Sequence, residues 1–468
     1  MLVFLPTDIL VFLLLAMGVV VVCRIRAKEH LKRPWRKVIR HKTGMVSLLI
    51  LATFSIIGLL DTIHFQPDKS LSQKQVQSVS ESEPISLFDW WVGSLRTQQE
   101  KTYSAPFASY LYSKESVVSD DGSKRWAYAR LKYAGLENPG ASGYDLGHIL
   151  KLGGRGLLKG ILSAFLLLGL LMLIRVSRLK LGLKQSFSEL ISDQSEVPWL
   201  AILITSLVII CLGCTIAELS TQYHVFGTDK VGQDVLYQSL KSIRTGLVIG
   251  TLTTLVMLPF ALTLGILAGF YRGWIDDLIQ YLYTTLNSIP GVLLIAASIL
   301  VVQVYMANHE ELFASVAIRA DVRLLFLCLI LGITSWTGLC RLLRAETLKL
   351  REMEYVQAAR ALGVNHRAIL IRHILPNLFH IVLISIVLDF SGLVLAEAVL
   401  SYINIGVDPS SNSWGNMINR ARLEMAREPV VWWSLAAAFV FMFTLVLAAN
   451  LFADAVRDAF DPRRAEKV

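Results

Sequence analysis

Charged residues are scarce in this chain: they make up 17% of 468 residues, whereas 54% are hydrophobic. A soluble domain averages roughly 25% charged residues. The apolar residues are grouped into long runs without charge, and about 20 such residues suffice to cross the hydrocarbon layer of a bilayer. The composition and the runs together predict an all-α polytopic membrane protein and exclude a soluble globular one.

Cysteine and catalytic motifs are also scarce. All five cysteines lie in or beside apolar runs, and Cys211 and Cys214 form a single C-x-x-C without a nearby histidine. This pattern favours small packing residues over a zinc or redox site. The sequence contains no G-x-x-x-x-G-K-[ST], H-E-x-x-H or G-x-S-x-G, so it predicts no P-loop, metal site or catalytic residue on this chain.

The basic residues lie beside the apolar runs, so the net charge of +9 follows the positive-inside rule and does not indicate nucleic acid. Nothing basic precedes the first run, whereas nine Lys or Arg lie between Arg24 and Lys42. We therefore expect an outside N-terminus and a cytoplasmic C-terminus. The runs predict nine membrane helices, at about 8–23, 44–62, 156–174, 198–217, 245–270, 278–305, 323–340, 378–403 and 431–453.

The chain is predicted to have two parts. Residues 1–195 contain three helices and an outer segment, 63–155, which is polar near Ser78–Pro84 and aromatic after Phe88, and to which the sequence assigns no fold. Residues 196–468 contain six helices and a basic inner loop, 351–377.

Loop 351–377 has the most informative sequence. Small residues at Ala358, Ala359 and Ala361 give a helix a flat face, and Gly363 is suited to end that helix with a positive φ. A second short helix is predicted to end at Pro376, just before the next span. Such a helix either inserts into a groove of another protein or is an ordinary amphipathic loop helix; composition alone weighs these equally.

The spacing of this loop resembles the EAA loop of ATP-binding-cassette importer permeases, E-A-A-x3-G-x9-I-x-L-P. The matching positions, together with Glu354 of the preceding turn, are Gln357, Ala358, Ala359, Gly363, His373, Leu375 and Pro376. Gln357 replaces the glutamate and His373 replaces the isoleucine. The phrase REMEYVQAARALG…RHILPN is similar to the C-type subunits of dipeptide and oligopeptide permeases, in which this loop is the coupling helix seated on the ATPase.

Other segments resemble the same family in the same order: 224–236, 265–277, 288–294, 395–418 and 456–463. The first of these, the outer signature, contains His224, Gly227, Thr228, Asp229, Gly232 and Asp234. We expect it to form a structural turn or a docking surface for a solute-binding protein, in preference to a metal site. The family often carries an arginine and an aspartate where this chain has Tyr281 and Thr284.

Two carboxyl groups lie inside the eighth apolar run, Asp389 and Glu397, and Glu397 matches a family position. They are candidates for the translocation path, although a hydrogen-bonded carboxyl packed between helices is favoured. Pro290, Gly265 and Gly269 are expected to serve helix kinking and close packing.

The resemblance implies the transmembrane fold of a type I importer, with a six-helix core plus about three N-terminal helices. It implies a bacterial inner-membrane permease for peptides that has no cofactor of its own. The implied partners are a homologous B-type permease, two ATPase subunits carrying ATP and Mg²⁺, and a periplasmic solute-binding protein. The alternatives are a scaffold or regulatory protein that retains the permease fold, or a membrane-embedded enzyme.

Overall fold

A computed structural model describes residues 2–3, 5–27, 29–66, 84–118, 124–134, 145–179, 197–313 and 315–460. In chain order, the first elements are β1 (Leu2–Val3), α1 (Pro6–Ala27), α2 (Glu29–Arg40), α3 (Lys42–Thr62), β2 (His64–Phe65), β3 (Ile85–Ser86), α4 (Leu87–Trp91), α5 (Gly93–Thr97), β4 (Tyr110–Val118), β5 (Lys124–Arg130), α6 (Leu146–Leu179) and α7 (Trp199–Leu219). The later elements are α8 (Val235–Tyr271), α9 (Trp274–Ser288), α10 (Gly291–Asn308), α11 (Val316–Ser335), α12 (Thr337–Arg351), α13 (Glu354–Ala361), α14 (His366–Ile369), α15 (Leu375–Tyr402), α16 (Trp414–Glu424) and α17 (Trp433–Phe460).

The chain forms two compact units. The first comprises Met1–Val3, Arg36–Arg244 and Asn412–Ala448, and the second comprises Phe4–Trp35, Thr245–Ser411 and Ala449–Val468. The domain boundary expected between residues 195 and 196 stays a prediction.

The first unit contains the described parts of the predicted outer segment, which has secondary structure. Strands β1, β2 and β3 form a small antiparallel sheet, and β4 and β5 form a separate hairpin. Helix α4 begins with a capping box, in which the Ser86 hydroxyl accepts from the Asp89 N–H and the Asp89 carboxylate accepts from the Ser86 N–H. This cap fixes the chain direction after β3.

Helices α6 and α7 of the first unit pack with their backbones in contact. A Cβ added to Gly156 would lie 2.7 Å from Thr215 Cα, and one added to Gly160 would lie 2.7 Å from Cys211 Cα. Small residues permit this approach between membrane helices. Cys211 is therefore a packing residue, as predicted, and both thiols of the C-x-x-C are free.

The second unit contains two clusters of buried apolar side chains. One joins α8, α9, α12, the short helices after it and the start of α15, with Phe270, Leu343 and Ile374 near its centre. The other joins α8, α10, α11 and the end of α15. Helix α1 adds Leu10 and Val11 to this second cluster, and Thr7 donates its backbone N–H to Asp321 of α11 at 3.0 Å.

Seven helices in the described part of the chain are long and apolar enough to cross a membrane. They are Lys42–Thr62, Leu146–Ser177, Trp199–Leu219, Val235–Tyr271, Gly291–Asn308, His366–Tyr402 and Trp433–Phe460. The all-α, multi-pass prediction is thus confirmed. The predicted spans 8–23 and 323–340 correspond to α1 and α11, which are not among the seven; Arg319, Asp321 and Arg323 place three charges near the start of α11.

The prediction of one helix over 278–305 is wrong. The chain breaks at Ile289 and Pro290, so that α9 and α10 are separate helices. Pro290 precedes α10 with ψ of 117°, far from the helical value, and it is exposed. The apolar run is continuous through this point, and the proline marks the break that hydropathy alone did not show.

Candidate functional site

Loop 351–377 in the second unit is anchored by one face of helix α13. Val356 is 2% exposed and Ala359 is 8% exposed, and both belong to the cluster that contains Phe270, Ile369 and Ile374. The two side chains are three residues apart and therefore point to the same side of the helix. The loop is consequently held in a fixed position by apolar burial.

The opposite face and the tip of the loop are exposed. Leu362 has 84% of its surface exposed, and Tyr355 has 40%. Ala358 and Ala361 are also exposed, whereas Ala359 faces inward, so the flat face is made by two of the three predicted alanines. Gly363 has a φ of +77°, which confirms the predicted left-handed glycine after the helix.

The second half of the loop differs from the prediction at Pro376. The chain does not leave the helix there; residues Leu370–Ile374 form a π-helical turn, and the Leu375 N–H donates to Leu370 O, five residues earlier. A proline has no N–H to donate, and the wider turn accommodates this loss without ending the helix. Leu375 and Pro376 thus begin the long helix α15.

The two positions that depart from the EAA pattern both make side-chain contacts. The Gln357 amide donates to Glu352 O at 3.2 Å, and Glu352 also pairs with Arg272 at 2.8 Å. His373 is half-buried, with its ring 6.2 Å from the ring of Tyr355. The substitutions therefore do not disorder the loop. Glu354 is exposed at the start of α13.

Glycines bring α12 against α8 directly behind this loop. A Cβ on Gly265 would lie 2.8 Å from Cys340 O, and one on Gly269 would lie 2.6 Å from Thr347 Cβ. The predicted close packing at these two glycines is confirmed. Beside them, Arg344 donates two hydrogen bonds to Asp276, and these bonds lower the pKa of Asp276.

The outer signature lies in the first unit and forms a tight turn, which is buried at His224, Thr228 and Asp234 and exposed at Val231. The Asp229 carboxylate accepts from the N–H groups of Val231 and Gln233, both at 2.9 Å, and Thr228 pairs with Asp234 as an isolated bridge. Gly232 has a φ of +77°. The aspartate and glycine thus set the turn, as the structural interpretation of this motif predicted.

His224 is the centre of a buried charge cluster in this turn. Its Nδ1 lies 2.7 Å from Asp234 Oδ2, and its Nε2 lies 3.7 Å from Glu100 Oε1. Burial alone would lower the pKa of His224, but the two carboxylates outweigh burial and raise it to about 9. His224 is therefore an imidazolium at neutral pH. Among the described residues, no group of three His, Cys, Asp or Glu side chains is arranged to hold a metal ion.

Residues of the predicted outer segment close over the signature. The Glu100 N–H donates to Gly232 O at 2.9 Å, and the Ser104 N–H donates to the Thr228 hydroxyl at 2.7 Å. A Cβ on Gly227 would lie 2.3 Å from Ser104 O. His224, Thr228 and Asp234 are at most 2% exposed. These three residues are not accessible to a docking protein.

The same segment contacts the start of α17 and the residues just before it in the first unit. The Tyr112 ring packs edge-on against Trp433 with centroids 4.9 Å apart, and the Tyr112 hydroxyl donates to Val430 O. The Trp433 indole in turn donates to Thr228 O at 2.9 Å. The predicted outer segment, the outer signature and the start of α17 therefore form one packed arrangement.

Sequence reasoning missed a partly buried ion pair between Asp89, in the N-terminal extension (residues 1–195), and Lys241 of α8. Lys241 donates to both carboxylate oxygens of Asp89, at 2.7 and 2.8 Å, and Tyr237 donates to the same carboxylate at 2.6 Å. Burial raises the pKa of Asp89, but the charge and hydrogen bonds of Lys241 outweigh this and lower it to about 2. The sequence feature that could have indicated this ion pair was a lysine near the start of an apolar run.

The two carboxyl groups of α15 differ in their environments. Glu397 is 2% exposed and accepts a hydrogen bond from Ser401 at 2.6 Å, the arrangement of a packed carboxyl. Asp389 is half-buried near the middle of the helix and accepts no hydrogen bond from any residue in the described ranges.

Comparison with known proteins shows which transport proteins this chain is similar to. A family profile, described as the binding-protein-dependent transport system inner membrane component, matches residues 261–466. The chain is 33% identical to the glutathione transport system permease protein GsiD of Pectobacterium atrosepticum over 242 residues, which is 51% of this chain and 73% of that protein. It is 30% identical to the oligopeptide transport system permease protein OppC of Mycobacterium tuberculosis over 239 residues, or 51% of this chain and 76% of that protein. It is 29% identical to the dipeptide transport system permease protein DppC of Lactococcus lactis over 243 residues, or 52% of this chain and 65% of that protein.

These relatives are transport permeases, and the family profile covers loop 351–377 of this chain. The chain is therefore a multi-pass membrane permease that belongs to the binding-protein-dependent transport system inner membrane component family, with the transmembrane fold of a type I ABC importer.

Proposed function

We propose that this chain is one permease subunit of an ATP-driven importer of short peptides in the bacterial inner membrane. It forms half of the translocation pathway beside a homologous B-type permease. Two separate ATPase subunits bind ATP and Mg²⁺, and a solute-binding protein delivers the substrate. The N-terminus lies outside and the C-terminus lies in the cytoplasm. The names of the relatives, which concern glutathione, oligopeptides and dipeptides, support peptides as the substrate class.

One observation supports the proposal that this chain couples to an ATPase. Loop 351–377 combines a buried anchor at Val356 with an 84% exposed leucine at Leu362. A fixed backbone that presents a large apolar side chain to water fits insertion into a groove of another protein. Ala358 and Ala361 beside it allow close approach. A solvated loop helix without a partner would not need an exposed leucine at this point.

Copurification tests this proposal. The tagged full chain is solubilised from its native membrane beside Leu362→Asp, and bound chains are identified. We expect ATPases and a second permease with the wild type, and the permease alone with the variant. The matched control is Val231→Asp, since Val231 is 58% exposed in the outer signature and far from the loop in sequence. Retention of the ATPases by Leu362→Asp would refute the loop as their docking site; their absence from the wild type would refute the transport assignment.

The translocation path supplies a second test. Of the two candidate carboxylates, Asp389 has the exposure and the uncommitted carboxylate suited to line a pathway, whereas Glu397 is committed to Ser401. We expect Asp389→Asn to change peptide uptake without altering subunit copurification. Glu397→Gln should act through stability instead. Unchanged uptake by Asp389→Asn at all substrate concentrations would remove Asp389 from the path.

A further inference from the structure

A cluster of exposed cations lies where α2 meets α3. Arg36, Lys37 and Arg40 on the last turns of α2 are exposed, and so is Lys42 at the start of α3. Ile39, between them, is an exposed apolar side chain at 39%. Together these residues form the basic turn.

The short connection to α3 fixes how deep in the membrane the basic turn lies. Only His41 separates α2 from α3. The His41 N–H donates to Val38 O at 3.1 Å, and the His41 ring accepts from the Gly44 N–H as the cap of α3. The turn is thus rigidly joined to the first turn of a candidate span.

The length of α3 then sets the depth. It has 21 residues, which give about 31 Å at 1.5 Å per residue, and the hydrocarbon core is about 30 Å thick. Helix α3 is only as long as the hydrocarbon core is thick, so Lys42 lies at the edge of the core. Even if α2 ran straight away from the membrane, Arg36 would lie only about 9 Å beyond Lys42. The headgroup layer adds roughly 5–7 Å on each side of the core, and the Debye length beyond it is about 8 Å, so Arg36 stays within electrostatic reach of the headgroups.

From this placement we infer that the basic turn is a binding site for the headgroups of anionic phospholipids. Four cations within seven residues, an exposed isoleucine and headgroup depth fit the chemistry of an anionic membrane surface. Each lysine or arginine near such a surface strengthens the attraction about fivefold. Three of them together provide on the order of 100-fold, and salt reduces this.

The alternative is that these cations only fix the orientation of the chain during insertion. A role during insertion alone predicts no preference for anionic lipid in the folded protein. A lipid-binding measurement therefore distinguishes a binding site from an insertion signal. The inference does not depend on the proposed transport function, because it rests on charge, exposure and the length of α3.

The test uses the full chain in phosphatidylcholine nanodiscs with a photoactivatable phosphatidylglycerol probe. We expect crosslinks at residues 36–42, and competition by unlabelled phosphatidylglycerol but not by phosphatidylcholine or inorganic phosphate. Arg36→Gln/Lys37→Gln/Arg40→Gln should weaken apparent affinity there on the order of tenfold or more. Arg36→Lys/Lys37→Arg/Arg40→Lys should retain it. A control that removes equal charge elsewhere is Lys114→Gln/Lys124→Gln/Arg130→Gln, on the exposed β4–β5 hairpin.

Loss of crosslinking from the wild type at high salt checks the charge dependence without any variant, in case the triple glutamine variant does not fold. Equal competition by phosphatidylcholine, or full retention by the glutamine variant, would overturn the inference. Crosslinking of the basic turn to a copurified protein in place of lipid would overturn it too, and would assign this surface to a protein partner.

Discussion

The buried His224 cluster makes the stability of the first unit depend on pH in a definite direction. The imidazolium lies between Asp234 and Glu100, and its pKa of about 9 exceeds the ordinary histidine value of 6.5. The difference corresponds to about 3 kcal/mol at 1.36 kcal/mol per pKa unit. Because the folded pKa is the higher one, this stabilisation is complete below pH 6.5 and is lost as the pH rises to about 9.

We therefore expect the thermal midpoint of the wild type in detergent to fall by several degrees between pH 6.5 and 9. A change of 1 kcal/mol shifts the midpoint by about 2–4 °C in a unit of 150–250 residues. Tryptophan fluorescence is a suitable probe, because Trp414 and Trp433 are buried in this unit.

His224→Gln provides the comparison, since it removes the titrating group and leaves the other histidines in place. The variant should be less stable than the wild type at pH 6.5, because two carboxylates lose their cation, and its midpoint should change less with pH. Parallel wild-type and variant curves across this interval would refute the assignment of a buried imidazolium to His224.

Two further predictions concern the same unit. Gly232→Ala should lower the yield of folded protein sharply, because φ is +77° and the new Cβ would lie 1.9 Å from Glu100 O; Gly154→Ala, with nothing within 4 Å, should give wild-type yield on size-exclusion chromatography. Asp89→Asn should lower the thermal midpoint by the equivalent of about 3 kcal/mol at neutral pH, because Lys241 loses its ion pair. Since the pKa of Asp89 is lowered to about 2, the stability it gives is present above pH 3.8 and is lost as the pH falls through 2, so wild type and variant should converge in acid. Equal midpoints at pH 7 would show that the pair contributes nothing.

The sequence predicted the inner loop well, because its structure is set locally. Gly363 adopts the positive φ that its position in the pattern required, and α13 covers the triplet. The prediction failed at Pro376 because a π-helical turn is a small local rearrangement with no sequence signature as clear as the proline itself. The break at Pro290 shows the converse, since there the chain does end a helix.

The contacts of the outer segment could not be predicted, because they join residues more than 100 positions apart. Glu100 and His224 are separated by 124 residues, and Asp89 and Lys241 by 152. Neither partner in each pair is informative by itself. A glutamate in a polar segment and a lysine near the start of an apolar run are both commonly solvated, and only the fold shows that each has an ionic partner far away in the sequence.

These contacts change how the N-terminal extension should be regarded. Gly227 and Gly232 are pressed against the backbone of Ser104 and Glu100, so neither glycine tolerates even a methyl group while the extension is in place. Trp433, at the start of the last membrane helix, donates a hydrogen bond to the signature and packs edge-on against Tyr112 of the extension. Removing the extension would take away Glu100 and would expose His224, Asp234 and the Trp433 indole, which are now buried. The signature and the extension are therefore a single folded structure, and a partner cannot reach the buried His224 while the extension is in place.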